Sequence, residues 1–208
     1  AAGDLVELSG FLLDRRYEPR PGDPEGLRGR IEDVRSLLER AVKADPSIPE
    51  AHYNMGRFFI YNYRNDLASA ALSEALRLFD QAETMSPRRI LTRIDSFRLL
   101  GEVRSGEKEY LKAQALYAQG ISLYEAQREN RGVRPDPRVG RLYADYADVD
   151  YFISNDLDAA LANYAKAVDE LNDTPSVRYR MGYIQYQAQD YLSAMQSFSL
   201  AFARKPED

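Results

Sequence analysis

The side chains best equipped for chemistry are scarce in this sequence, and their placement excludes most reactions. His52 is the sole histidine and there is no cysteine. Thiolate nucleophiles, zinc–thiolate sites and paired imidazole ligands are therefore excluded, and a Ser or Thr nucleophile would lack an imidazole base. The acidic run DYADVDYF sets Asp145 and Asp148 three residues apart on one helical face, with Asp150 turned away. A metal site asks for more ligands and a Gly-turned loop, so the run reads as a solvated or Arg-paired surface. NDLD ahead of Ala159 reads as a helix start, with Asp156 and Asp158 suited to capping and to the first turn. No Gly-rich phosphate loop follows a strand. The expectation is no catalytic residue, no metal site, no cofactor and no enzyme.

What is abundant is recognition chemistry. The chain has 15 Tyr, 8 Phe and no Trp. Arg residues gather in SPRRILTRIDSFR and again at Arg128, Arg131, Arg134, Arg138 and Arg141. Such groups fasten helix surfaces through salt bridges or meet acidic peptides and phosphates. The net charge of −5 offers no positive field to nucleic acid, and no apolar run approaches the roughly 18 residues of a membrane span. The composition is that of a soluble globular chain, and the absence of cysteine leaves a cytoplasmic or a periplasmic home equally open.

The elements that must position these groups follow from a spacing rule. Near the C-terminus Gly182, Ala194, Phe198, Ala201 and Pro206 are separated by twelve, four, three and five residues. One period of 34 residues earlier stand Asp148, Ala160, Tyr164 and Ala167; further back come Gly101, Ala113, Tyr117 and Gly120. Next are Gly56, Ala75, Phe79, Ala82 and Pro87, with nineteen residues in the first interval, and finally Val34, Leu38, Ala41 and Pro46. Offsets of three, four and seven place residues on one helical face. A ring between two small side chains interlocks with a close neighbouring helix, and a mid-helix Gly is sensible only where two helices nearly touch. Each unit is thus an antiparallel helix pair, with Pro ending one pair and opening the next.

On these marks the sequence resembles the tetratricopeptide repeat (TPR) family, whose unit of about 34 residues carries a Leu-Gly pair, an Ala, an aromatic and a closing Pro. Here they read Met181-Gly182, Ala194, Phe198 and Pro206. The resemblance implies an all-α, right-handed α-solenoid of antiparallel helix pairs in one array over 1–208. Repeat 1 spans about 4–46, with an N-terminal helix around Leu5 to Tyr17 and a loop at 18–28. Repeat 2 spans 49–86 with lengthened helices, and repeat 3 spans 87–127. A loop at 128–138 precedes repeat 4 (139–174) and repeat 5 (175–206). Asp148 in place of the small residue predicts a looser fourth pair.

The family binds peptides in a concave groove lined by the first helices of its pairs. Carried onto this sequence, the groove positions include Tyr53, Asn54, Arg57 and Tyr61, then Arg98 and Glu102. They continue with Asp145, Tyr146 and Val149, and with Tyr179, Arg180, Tyr183 and Tyr186. Tyr and Arg are the residue types that dominate binding hot spots. The Lys and Asn clamp of the family's chaperone-tail receptors is absent, since Glu102, Tyr146 and Ser176 stand at three of its places. A second stripe on the last helix, Leu192, Met195 and Phe202, would cover a following unit. Since solenoids close with polar caps, the stripe predicts either a longer natural chain or association with another copy through the C-terminal helix. The functional expectation is a non-enzymatic scaffold that binds a protein or peptide, without nucleic acid or membrane insertion. The alternative is an assembly subunit of a larger machine, such as those of bacterial envelopes or motility, associating through its repeat ends.

Overall fold

A computed structural model describes residues 1–14, 24–131 and 134–203, and every regular element among them is helical. In chain order they are α1 (Ala2–Asp14), α2 (Pro24–Ala44), α3 (Pro49–Tyr61), α4 (Asn65–Asp80), α5 (Pro87–Gly106), α6 (Tyr110–Arg131), α7 (Pro137–Val149), α8 (Leu157–Asp169), α9 (Pro175–Gln187) and α10 (Tyr191–Ala203). A five-residue π-helical turn, Asp150–Ser154, extends α7. None of the helices among the described residues is long and apolar enough to cross a membrane.

Local chemistry sets these limits. Proline opens α2, α3, α5, α7 and α9, at the first helical position, where its missing N–H costs nothing and its fixed φ fits. Asp136, Asp156 and Thr174 cap α7, α8 and α9 by accepting from Arg138 N, Ala159 N and Val177 N. NDLD is therefore a capped helix start, as its composition predicts. Tyr63, Lys108, Leu171 and Gln189 end helices with φ between 56° and 66°. After each, the next amide donates back to a carbonyl five residues earlier, as in Arg64 N to Phe59 O and Asp190 N to Gln185 O. This left-handed stop satisfies the last carbonyls of the helix and reverses the chain within three residues.

The chain forms two compact units, Ala1–Val103 and Arg104–Asp208. In the first, Leu13 of α1, Val34 and Leu38 of α2 and Phe58 of α3 form one buried cluster, and Val6, Ala41 and Ala51 form another. In the second, α6 packs on α7, α7 on α8, α8 on α9 and α9 on α10. Ala160, Tyr164, Ala167, Val177, Met181 and Ile184 supply much of its interior.

Small and large residues interlock as the spacing rule requires. A Cβ on Gly182 would lie 2.9 Å from the Phe198 ring, and one on Gly56 only 2.6 Å from Leu72. The second contact corrects the reading of repeat 2. Gly56, Ala68, Leu72 and Ala75 reproduce the intervals of twelve, four and three, with leucine where an aromatic stands elsewhere, and Ala68, Leu72 and Ala75 are fully buried. The lengthened first interval disappears, and α3 has the same 13 residues as α9. The excess lies in the 16-residue α4, the connection after it and the 20-residue α5.

Other expected boundaries move as well. The first helix is Ala2–Asp14, and α2 begins at Pro24, inside the expected loop 18–28. Residues 15–23 lie outside the described ones. α6 continues to Arg131, taking the first part of the expected loop 128–138, because Arg128 is held by Glu170.

Candidate protein-binding surface

The groove candidates of the first unit are mostly internal fasteners. Tyr53 donates its hydroxyl to Asp95 at 2.6 Å, Arg98 Nε donates to the same carboxylate at 2.7 Å, and Arg98 Nη1 reaches Glu102 at 3.1 Å. Tyr53, Asp95 and Arg98 are all buried. Asn54 is buried too, donating to Val6 O at 3.0 Å. Arg57 lies over the Tyr53 ring and donates to Asp14. Burial opposes the charge of Arg57, but Tyr53, Asp14 and Tyr61 outweigh that penalty and hold its guanidinium protonated beyond the usual range. Tyr61 and Glu102 are exposed, and Arg57 is half-buried.

The Arg-rich segment of α5 serves the same end. Arg89 pairs with Glu50 at 2.7 Å and Arg93 pairs with Asp80. In the second unit Arg138 pairs with Asp136, and Arg128 with Glu170. With Arg98, five of these arginines are thus committed within the chain, as a surface fastened by salt bridges requires.

In the second unit the candidates separate into buried supports and exposed rings. Val149 is buried, and Asp145 and Tyr146 are half-buried, with Tyr146 against Tyr117 at 6.4 Å between centroids. Burial raises the Tyr146 hydroxyl pKa. On α9, Tyr179, Tyr183 and Tyr186 are 58%, 40% and 57% exposed. Beside them the π-helical turn lifts Phe152 and Ile153 into solvent, and Asn155 ends the turn with φ 52°. Tyr151 meets Phe152 edge-on at 4.6 Å and Tyr183 at 6.4 Å, while the Arg180 guanidinium lies 5.4 Å above the Phe152 ring. The result is a continuous strip of Tyr151, Phe152, Arg180 and Tyr183.

Asp148 organises this strip. It accepts from the Tyr164 hydroxyl and from Arg180 Nη1. Burial raises the pKa of Tyr164, and the Asp148 carboxylate raises it further. Burial works against the Arg180 charge, but Asp148 more than offsets it, so the guanidinium stays protonated. The fourth pair is therefore not loosened by Asp148. Its carboxylate replaces steric interlocking with hydrogen bonds to the ring that stands sixteen residues later, as Phe198 stands to Gly182.

Two features were not legible in the sequence. Asp150, which opens the π-helical turn in an acidic run expected to be a solvated or Arg-paired surface, is instead 5% exposed and accepts from Asn163 Nδ2 at 2.8 Å; burial raises its carboxyl pKa. Glu170, 1% exposed, accepts from Tyr124 at 2.7 Å and Arg128 at 2.9 Å. The DELND composition around Glu170 reads as a solvated turn, and only the tertiary partners reveal otherwise. No group of acidic residues and histidine among the described residues could hold a metal ion.

Comparison with known proteins gives structural likeness only. No family model matches the sequence, and no curated protein sequence is detectably similar to it. PilF of Pseudomonas aeruginosa superposes with a TM-score of 0.72 at 18% identity, over 100% of this chain and 78% of PilF. MamA from Desulfovibrio magneticus RS-1 gives 0.62 at 18% identity, over 99% of this chain and 97% of MamA. YrrB, described as a TPR protein with an unusual peptide-binding site, gives 0.54 at 17% identity, over 100% of this chain and 88% of YrrB. The fold is that of a tetratricopeptide repeat protein. The helix pairs packed within the units are α1/α2 and α3/α4 in the first and α7/α8 and α9/α10 in the second, and the exposed aromatic strip lies on the first helices of the last two, with the turn that extends α7.

Proposed function

We propose that this TPR protein is a non-enzymatic scaffold that binds a partner protein or peptide through the second unit. The observation that carries the reading is the exposed strip of Phe152, Tyr183 and Tyr186 around the Asp148-anchored Arg180. Large rings on a fixed helix combine contact area, hydroxyl donors and little conformational entropy to lose. Of the thirteen groove positions, Tyr53, Asn54 and Arg98 are spent on contacts inside the first unit. In the second unit Tyr179, Tyr183 and Tyr186 are the contact residues, with Arg180 as a positioned donor, Asp145 and Tyr146 half-buried on α7 and Val149 buried; Arg57, Tyr61 and Glu102 belong to the first unit. YrrB's described peptide-binding site favours the same class of ligand. The ligand is a peptide and not a nucleic acid, and no cofactor takes part.

The test is affinity capture by the full chain, identification of the bound peptide by mass spectrometry, and titration of that peptide against variants. Combined Phe152→Ala, Tyr183→Ala and Tyr186→Ala should weaken binding by about 10–100-fold with an unchanged far-UV spectrum. Undiminished binding by this triple variant would sink the proposal.

A second reading, an assembly subunit of a larger complex, is favoured by the exposure of Leu192, Met195 and Phe202 on α10, at 65%, 59% and 83%.

A further inference from the structure

The tyrosines of α9 stand in crossed ring pairs. Tyr179, Tyr183 and Tyr186 share one helical face by their offsets of four and seven, and each meets a second ring from a neighbouring element. Tyr179 lies 5.4 Å from Phe198 at 56°, Tyr183 lies 6.4 Å from Tyr151 at 84°, and Tyr186 lies 5.7 Å from Tyr191 at 63°. Two rings at such angles bound a wedge between the face of one and the edge of the other. Three wedges therefore follow one another along α9. At 1.5 Å per residue, Tyr179 and Tyr186 are about 10.5 Å apart along the helix axis.

The electrostatics of the stripe favour an uncharged ligand. On α9, α10 and the π-helical turn the charged residues are Asp150, Arg178 and Arg180. Asp150 is buried against Asn163, Arg178 is bound by Asp173, and Arg180 by Asp148. A charged segment would find no open countercharge on these elements. What the stripe offers instead is ring surface and donors, since the hydroxyls of Tyr179, Tyr183 and Tyr186 donate to none of the described residues. Its complement is rich in apolar rings and carbonyl acceptors and poor in N–H groups.

A polyproline II segment has that composition and that repeat. Proline carries a carbonyl and no N–H. The segment makes no internal hydrogen bonds, so its carbonyls stay open, and three residues of about 3.1 Å advance roughly 9 Å per turn. One turn of the ligand nearly matches the step from Tyr179 to Tyr186. Such a segment is already extended and stiff, so little entropy is lost when it settles on fixed rings. Taking this surface as the peptide site proposed above, we infer that the α9 stripe binds an uncharged proline-rich segment, with prolines three residues apart seated in the wedges of Tyr179 and Tyr186.

Titration calorimetry of the full chain with three acetylated, amidated dodecapeptides tests this: twelve prolines, four Pro-Ala-Ala triplets and six Pro-Ala pairs. The twelve-proline peptide should bind saturably with a Kd of about 10–500 μM, changing less than about twofold between about 50 and 500 mM NaCl because no ion pair is screened. The triplets should bind at least about threefold tighter than the pairs, which hold more proline but never place two prolines three apart. Tyr179→Ala and Tyr186→Ala, both at exposed positions, should each weaken the twelve-proline peptide about tenfold with unchanged circular dichroism. No saturable binding up to about 2 mM, pairs binding as well as triplets, a steep loss with salt, or full binding by both Ala variants each overturns the inference. A captured partner peptide without such prolines, whose affinity still falls in the Phe152, Tyr183 and Tyr186 triple variant, overturns it too and leaves the peptide-binding reading in place.

Discussion

At the scale of single residues, the second unit is held by carboxylates that work in opposite senses. Asp148 is ion-paired with Arg180, whereas Asp150 is buried with Asn163 and its pKa is raised chiefly by that burial. A carboxyl whose folded pKa lies above its unfolded value adds stability only below the unfolded pKa, about 3.9 for Asp. As pH rises through the folded value that stability is lost, so at neutral pH the ionised Asp150 costs stability. Asp150→Asn keeps an acceptor for Asn163 and removes the charge. It should raise Tm by a few degrees at pH 7, with the gain shrinking towards zero near pH 4. Thermal melts of both proteins at the two pH values check this; a less stable Asn variant at pH 7 would show that the carboxylate is needed as such.

At the scale of helices, the interlock of Gly182 with Phe198 makes a sharp case. A methyl group at Gly182 has 2.9 Å to the ring, well inside van der Waals contact, and α9 and α10 must part or the ring must leave its place. Gly182→Ala should destabilise by about 1–3 kcal/mol despite the better helix propensity of Ala, and Phe198→Leu in the same chain should recover part of the loss. Urea denaturation of the two variants decides; an Ala variant as stable as the parent would mean that the pair yields freely. Much of this level was legible, because Gly182, Ala194, Phe198 and Ala201 report periodicity and size directly. The second repeat was misread because Phe79, the more conspicuous ring, drew the alignment away from Leu72. The π-helical turn escaped for a different reason: YFISN has no proline or glycine, and only packing of Tyr151 on Tyr183 and capping by Asp156 reveal the extra residues. The helix stops at Tyr63, Lys108, Leu171 and Gln189 escaped similarly, since the residue that usually marks a left-handed stop is glycine.

At the scale of the whole chain, the sequence divides into two compact units between Val103 and Arg104. Repeat arrays gain stability from nearest neighbours, so damage spreads only as far as the contacts that transmit it. Leu38→Ala, in the cluster with Leu13 and Phe58, should accelerate amide exchange mainly in α1 to α4 and leave α7 to α10 near parental rates. Hydrogen exchange read by mass spectrometry resolves the two halves; uniform acceleration throughout would mean a single cooperative unit. The sequence could not separate Tyr53, spent on Asp95, from Tyr183, left in solvent, because both follow the same spacing. The interlocking pairs have a last consequence, which concerns how freely their letters can vary. Gly56 with Leu72, Asp148 with Tyr164 and Gly182 with Phe198 are three chemically different solutions to one distance, each sixteen residues apart. What such a pair must preserve is a joint fit, so either member can drift if the other compensates. One helix-pair geometry can therefore be written in letters that share little from repeat to repeat, which is why the spacing of these pairs is a better guide to the fold than the identity of any one of them.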